Sequence, residues 1–169
     1  MQSYQSPSLN NIALKCTLSV KVKPRRIYMK YLDKNEFEKH NMFKTGTENI
    51  NYAKYFIGNS YLNPLNKEGL SINNVTFEPG CRNNWHIHHS TKGGGQILIC
   101  TCGEGWYQEE GKDAVSLSEG SIINIPANVK HWHGAKKDSW FSHIAIEVPG
   151  ENSSNEWLEQ VNDKEYNNL

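Results

Sequence analysis

The run Trp85-His86-Ile87-His88-His89-Ser90-Thr91-Lys92-Gly93-Gly94-Gly95-Gln96 is the centre from which the rest of the chain can be read. Six of the seven histidines fall between His86 and His143, and three of them sit in this run. In an extended strand, residues i and i+2 share a face, roughly 6.5–7 Å apart. His86 and His88 therefore present two imidazoles to one side, close enough to share one metal ion. His89 points the other way. Gln96 follows a Gly-Gly-Gly turn and can return to the same site.

A second pair, His131-Trp132-His133, repeats the alternation. It follows a strand and turn from Gly120 to Pro126, which places it on an adjacent or facing strand of the same barrel. His143 lies on a strand spanning Trp140 to Val148 and shares a face with Phe141 and Ala145 by parity. Five imidazoles turned into one interior are buried polar groups that need partners. A bound ion supplies them, so the pattern predicts a metal site. His40 stands alone and reads as a surface residue, and so does His89.

Around these pairs the texture is strand and turn. Strands are expected at Tyr52–Ile57, Leu70–Phe77, Arg82–His89 and Gln96–Cys102. Trp106–Glu109 should pair with Ala114–Leu117 across a Gly-bearing turn, and Ser121–Ile125, Lys130–Gly134 and Trp140–Val148 follow. An irregular piece is expected around Asn63-Pro64-Leu65-Asn66. Asp33-Lys34-Asn35-Glu36 has the chemistry of a helix start, reaching about His40. Ser154–Gln160 reads as a second short helix and Asp163–Tyr166 as a last turn. Many short strands with Gly- and Pro-marked turns predict an all-β sandwich or barrel. Phosphate-loop, dinucleotide and nucleophile-elbow motifs are absent.

The length of 169 residues suits a single domain with a real core. The formal net charge of zero gives no reason to expect nucleic acid or an anionic membrane as a partner. It conceals an asymmetry: residues 1–30 carry six Lys/Arg and no acid, while the remainder carries twelve basic and eighteen acidic residues. Residues 1–30 are expected to be a disordered basic leader, with one domain over 31–169 and its core motifs at 75–148. No apolar run is long enough to span a membrane. Cys16, Cys81, Cys100 and Cys102 lack a Cys-x-x-Cys spacing and read as reduced, mostly buried thiols, which fits a cytoplasmic protein. Ile97 and Ile99 lie opposite Leu98 and Cys100 on their strand, so both faces call for cover, and a homodimer is expected to provide it. Trp85, Trp106, Trp132 and Trp140 are candidates for an aromatic pocket, with buried packing expected for at least half of them. Lys130 is a candidate for steering an anion, with a solvated surface position the commoner case for such a lysine.

Gly80, five residues, His86-x-His88, a loop, Gln96, six residues and Gly103 resemble the first motif of the cupin superfamily. Gly120, five residues, Pro126-x-Asn128, two residues and His131 resemble the second. The likeness runs from about Val75 to Tyr166 and is closest to small single-domain cupins. These include the metal-dependent cupin hydroxynitrile lyases and the cupins found with carboxymuconolactone decarboxylase-like domains. The sequence departs from the usual motif in two places. Gln96 stands where Glu is usual, as in the lyase-like branch, and seven residues rather than three or four separate it from His88. Asn128 replaces the usual Gly, and Asn tolerates positive φ.

The resemblance implies a double-stranded β-helix, or jelly-roll barrel, with short peripheral helices. It implies metal ligands at His86, His88, Gln96 and His131, with His133 and His143 as acid/base groups. Such a donor set is neutral and leaves the ion a strong Lewis acid. One divalent transition metal is expected, manganese first, with iron, nickel and zinc as alternatives. The implied function is an enzyme acting on a small oxygenated molecule, most concretely a carbon–carbon lyase of hydroxynitrile type. The alternatives are isomerase, decarboxylase or dioxygenase chemistry at the same site, a non-catalytic cupin binding a metal or small ligand, and a metal-free structural barrel.

Overall fold

The computed structural model describes residues 29–169. Nearly all of the proposed basic leader, and Cys16 with it, therefore lies outside the described residues. In chain order the elements are α1 (Lys34–His40), β1 (Thr47–Glu48), a 3-10 helix (Ile50–Tyr55), β2 (Phe56–Ile57), β3 (Ser60–Asn66), β4 (Ile72–Phe77), β5 (Arg82–Asn83) and β6 (His86–His89). Then come β7 (Lys92–Gly93), β8 (Gly95–Glu109), β9 (Val115–Ser118), β10 (Ile122–Pro126), β11 (His131–Ala135), β12 (Phe141–Glu147), β13 (Gly150–Glu151), β14 (Ser154–Trp157) and α2 (Asp163–Asn167).

The strand pairs are antiparallel and curl into two walls joined by β8. Residues Gln96–Gly103 of β8 pair with β12, which continues through β4 and β3 to β1, while β10 pairs with β8 from the other side. Residues Glu104–Glu109 of β8 pair with β9 and β11, and β11 continues through β5 to β2. β6 joins the second wall by pairing with β11, and β14 pairs with β6. One strand can serve both walls because it bends. Gly103 has φ +73°, and a Cβ there would meet the Trp140 carbonyl oxygen at 1.8 Å. The β12–β8 register also slips between Ser142 and His143, leaving one extra residue on β8. Such a bulge bends and twists a strand.

Between the walls lies one core. Phe77, Leu98, Leu117, Ile125 and Phe141 are fully buried, with Cys81, Cys100 and Tyr107 beside them. Each large apolar side chain removed from water here contributes about 1.5–3 kcal/mol. The buried cysteines Cys81, Cys100 and Cys102 are all free thiols. A second cluster anchors α1. Asp33 accepts the Glu36 backbone N–H at 2.9 Å as N-cap, and Phe37 stacks on Trp140 with ring centroids 5.5 Å apart. A third holds the C-terminal tail: Trp132, Val161 and Tyr166 pack together, the Tyr166 hydroxyl donates to the Ala135 carbonyl at 2.7 Å, and Arg82 pairs with Asp163.

Several local expectations are corrected. The stretch 52–57 is mostly the 3-10 helix, because Tyr52 and Tyr55 both pack toward Trp157 instead of alternating between two faces. Residues 63–66 belong to β3, and the irregularity expected there is a register slip between Pro64 and Asn66. Pro64 is tolerated because β1 pairs only with Tyr61 and Leu62, so the proline faces no partner on that side. Ser154–Trp157 is a strand: the open edge of β6 supplies four paired residues, and that pairing outweighs the local capping chemistry. The histidine strand is two pieces, β5 and β6, whereas β8 runs unbroken through Gly103-Glu104-Gly105. No helix among the described residues is long and apolar enough to cross a membrane.

Candidate metal centre

His86 on β6 and His131 on β11 are directly opposite in register, and their ring centroids lie 4.1 Å apart. His133, two residues along β11, keeps the same face. One ring nitrogen from each of these three lies within 4.8 Å of the other two. His88 joins from β6, its ring 5.2 Å from His86 and 5.5 Å from His131. His143 on β12 meets His133 edge-on at 4.8 Å and packs against the rings of Phe77 and Phe141, which also touch each other. All five histidines are buried, and so is Gln96 at the start of β8. The strand alternation that turns His86, His88, His131, His133 and His143 to one interior is thus realised.

Hydrogen bonds decide which atoms face inward. His86 Nδ1 lies 3.0 Å from the Asn84 carbonyl and His131 Nδ1 lies 2.9 Å from the Val129 carbonyl. A carbonyl can only accept, so both Nδ1 atoms carry the hydrogen and both Nε2 atoms keep a lone pair. His133 is arranged differently. Asn83 Oδ1 accepts the His133 backbone N–H at 2.9 Å, which turns the Asn83 amide nitrogen onto the ring, 3.1 Å from Nε2.

Other atoms here have no partner. His131 Nε2, Gln96 Oε1 and both nitrogens of His88 and of His143 are buried without a hydrogen bond. An unsatisfied buried polar atom costs about 1–3 kcal/mol. Several around one group of buried imidazoles call for a ligand there. Imidazole nitrogens and an amide oxygen form a donor set that fits a divalent transition metal. Burial also keeps four of the rings uncharged. It pushes the pKa of His131 down to about 4 and of His143 to about 3, and those of His86 and His133 fall well below the usual imidazole range. Neutral imidazole is the form that binds a metal.

A cavity of about 250 Å³ opens over this group. His86, His88, Gln96, His133, His143 and Glu147 contribute its polar wall, and Phe56, Leu62, Val75, Ala145 and Trp157 its apolar one. Gln96 reaches the wall despite the long loop, because Gly93 pairs with Gly150 and the loop folds back on itself. At Gly95 φ is +95° and a Cβ would meet the Ile125 carbonyl oxygen at 2.3 Å, so the close return needs glycine.

His89 lies outside, bonded to Glu156 at 2.7 Å and to Asn128 at 3.2 Å. Asn128 has φ +66°, the left-handed conformation expected of it. None of the four candidate tryptophans is among the residues that line the cavity, and packing is the outcome for all of them. Trp132 packs outside with Trp85 and Trp106, and Trp140 packs on α1. Lys130 is tied to Glu110 and Glu159. The aromatics at the site are Tyr52, Phe56 and Trp157, and the position of Trp157 depends on the β14–β6 pairing and carried no local signal. Glu147 was also overlooked, although its parity with His143 and Ala145 places it on the inward face.

The fold has close relatives among solved structures. A cupin-like protein from Thermotoga maritima superposes with a TM-score of 0.66 at 36% identity, covering 76% of this chain and 96% of that one. The chain belongs to the cupin superfamily. A cupin 2 conserved barrel domain protein from Rhodopseudomonas palustris, at 12% identity, shares the cupin fold with a TM-score of 0.50 over 59% of this chain and 68% of its own. This cupin is also 35% identical over 118 residues to the (R)-mandelonitrile lyase of Granulicella tundricola, a match spanning 68% of this chain and 87% of that enzyme. No family model matches it.

Proposed function

We propose that this cupin is a metal-dependent lyase of hydroxynitrile type, cleaving a small cyanohydrin to a carbonyl compound and hydrogen cyanide. The observation that carries the reading is the buried group of His86, His131 and His133 in a chain 35% identical to a mandelonitrile lyase. His86, His88, Gln96 and His131 hold the ion in this reading. The Nε2 lone pairs left on His86 and His131 and the unpartnered His88 Nε2 and Gln96 Oε1 support it, whereas the Asn83 amide already lies against the His133 ring. Manganese is the first choice among manganese, iron, nickel and zinc, since one oxygen donor joins the nitrogens. When bound, such an ion supplies Lewis-acid polarisation of a hydroxyl oxygen.

The remaining chemistry falls to the chain. His143 has two unpartnered nitrogens on the cavity wall, and one of them accepts the cyanohydrin's hydroxyl proton. Burial makes the ring a weak base, with a pKa of about 3, so that hydroxyl must be acidified by the polarisation a bound ion supplies. The oxygen lone pair then forms the carbonyl as the bond to the nitrile carbon breaks and its electron pair leaves with cyanide. His133, edge-on to His143 on the cavity wall, is placed to hydrogen-bond the departing cyanide through its ring N–H. The His143 imidazolium returns its proton to cyanide, which completes hydrogen cyanide and restores the neutral ring. Phe56, Leu62, Val75 and Trp157 receive the hydrocarbon part of the substrate.

The decisive experiment uses untagged protein loaded in turn with manganese, iron, nickel and zinc, with bound metal measured by elemental analysis. Release of benzaldehyde from mandelonitrile is then followed, with His86→Ala as control. Metal-dependent release that the variant lacks is the expected result. Bound metal without turnover of any cyanohydrin would favour a metal- or ligand-binding cupin instead.

A homodimer is part of the same proposal. Ile122, Ile99 and Ile144 stand side by side across β10, β8 and β12 on the outer face, and Ile122 is 66% exposed. A second copy would cover them, and a strictly monomeric mass by light scattering would reject this.

A further inference from the structure

Glu147 ends β12 directly opposite Gln96 on β8. It is the one carboxylate among the residues lining the cavity. Its Oε1 accepts a hydrogen bond from Gln96 Nε2 at 3.2 Å, and its Oε2 lies 3.2 Å from His88 Nδ1. The second contact is an electrostatic approach without the alignment of a good hydrogen bond. We infer that Glu147 is a positioning residue that prepares His88 and Gln96 as metal donors. The inference rests on the metal reading of this site.

The reasoning turns on what can face a carboxylate. A carboxylate only accepts, so the amide of Gln96 must present its nitrogen to Glu147. The amide oxygen is then forced to the opposite side, where it is buried and unpartnered. His88 follows by electrostatics, not by a formed hydrogen bond. A lone pair turned toward the carboxylate would be repelled, so the nitrogen near Glu147 carries the hydrogen and Nε2 keeps the lone pair, both nitrogens being buried without a hydrogen bond. One side chain thereby fixes the polarity of two donors that come from different strands, β6 and β8. His86 and His131 have their outward Nδ1 atoms capped by backbone carbonyls, which no substitution can remove. In His88 and Gln96 the same task falls to a side chain. Outer groups of this kind hold ring orientation and donor strength in metal sites, and their loss weakens metal affinity about 10–100-fold. Glutamine at position 147 could not replace the carboxylate. It has a single acceptor oxygen for two donors, and its own N–H group would oppose one of them.

The test uses the full, untagged chain with Mn²⁺ and Zn²⁺ salts in calorimetric titrations, together with ¹⁵N NMR of the histidine rings in metal-free protein. Glu147→Gln should bind both ions about 10–100-fold more weakly, and Glu147→Asp should recover part of that loss. In the wild-type chain His88 should carry its hydrogen on Nδ1, and Glu147→Gln should shift that tautomer. Glu147 is partly exposed, so the variants should fold, which their thermal unfolding will confirm. Wild-type protein that binds neither ion overturns the metal reading. Wild-type protein that binds while Glu147→Gln binds within about twofold of it overturns the role of Glu147 alone. A wild-type His88 with its hydrogen on Nε2 overturns that role whatever the variants do.

Discussion

Trp157 stacks on the imidazole of His86, with ring centroids 4.7 Å apart and 27° between the planes. Behind it lies Tyr55, stacked at 4.6 Å and 8°. The first proposed ligand is thus braced by a ring from the tail strand, which is itself braced by the 3-10 helix. Aromatic pairs of this geometry add about 0.5–1.5 kcal/mol beyond the area they bury.

Trp157→Ala should therefore destabilise the metal-free protein by about 2–3 kcal/mol, less than for a fully buried tryptophan. Trp157→Phe should retain most of the stability. Urea midpoints of the two variants, at unchanged denaturant slope, measure the difference. Equal midpoints for wild type and Trp157→Ala would refute the brace.

Metal removal should separate the histidines into two classes. At free metal a hundredfold above Kd, the wild-type chain should gain about 2.7 kcal/mol of stability over the chelator-treated protein. His131→Ala should lose most of that gain and retain less than about a tenth of an ion per chain. His89→Ala should behave as wild type, because His89 bonds Glu156 and Asn128 outside the group. Thermal shift with and without a chelator, paired with elemental analysis, reads both effects.

The buried rings predict an acid-sensitive metal-free fold. Folding lowers the pKa of His131 to about 4 and of His143 to about 3, through burial, while the unfolded chain keeps ordinary values near 6.5. Below pH 6.5 the unfolded state binds protons that the folded state refuses. Stability is therefore complete above about pH 6.5 and falls as pH drops toward 4 and then 3. Each ring contributes a slope of up to about 1.4 kcal/mol per pH unit. Urea titrations of chelated protein between those limits should show the midpoint falling with acidity. Replacing His143 by Gln, if the chain still folds, should make the curve shallower.

Gly103→Ala tests the bend in β8. The position has φ +73°, and a Cβ would meet the Trp140 carbonyl oxygen far inside contact distance. The backbone strain alone costs about 1–3 kcal/mol, and the clash adds to it. Gly111→Ala, which shares a positive φ but has open space around it, should cost only the strain. Thermal unfolding of the pair separates the clash from the conformational term.

Much of the fold was legible because its signals are short-range. Alternation at i and i+2 is a property of any extended backbone, so His86 and His88, His131 and His133, and His143 with Ala145 could each be assigned a face from the residues alone. Gly- and Pro-marked turns located most strands, and Asp33 with Glu36 located α1. Signals failed where a distant partner overruled local preference. Ser154–Trp157 has capping residues but meets the open edge of β6, and the paired backbone is the better outcome. Tyr52 and Tyr55 look like strand residues but turn helically to reach Trp157.

The site divides along the same line. Local order was enough to say that several imidazoles share one interior and that His89 does not. The opposition of His86 and His131, the bracing of His86 by Trp157 and the meeting of Glu147 with Gln96 and His88 arise from strand register. Register is a relation between segments far apart in the chain, set by the bend at Gly103, the slip beside His143 and the return of the tail onto β6. A period of two can state which face a residue takes. Only the closing of the barrel brings those faces to one point.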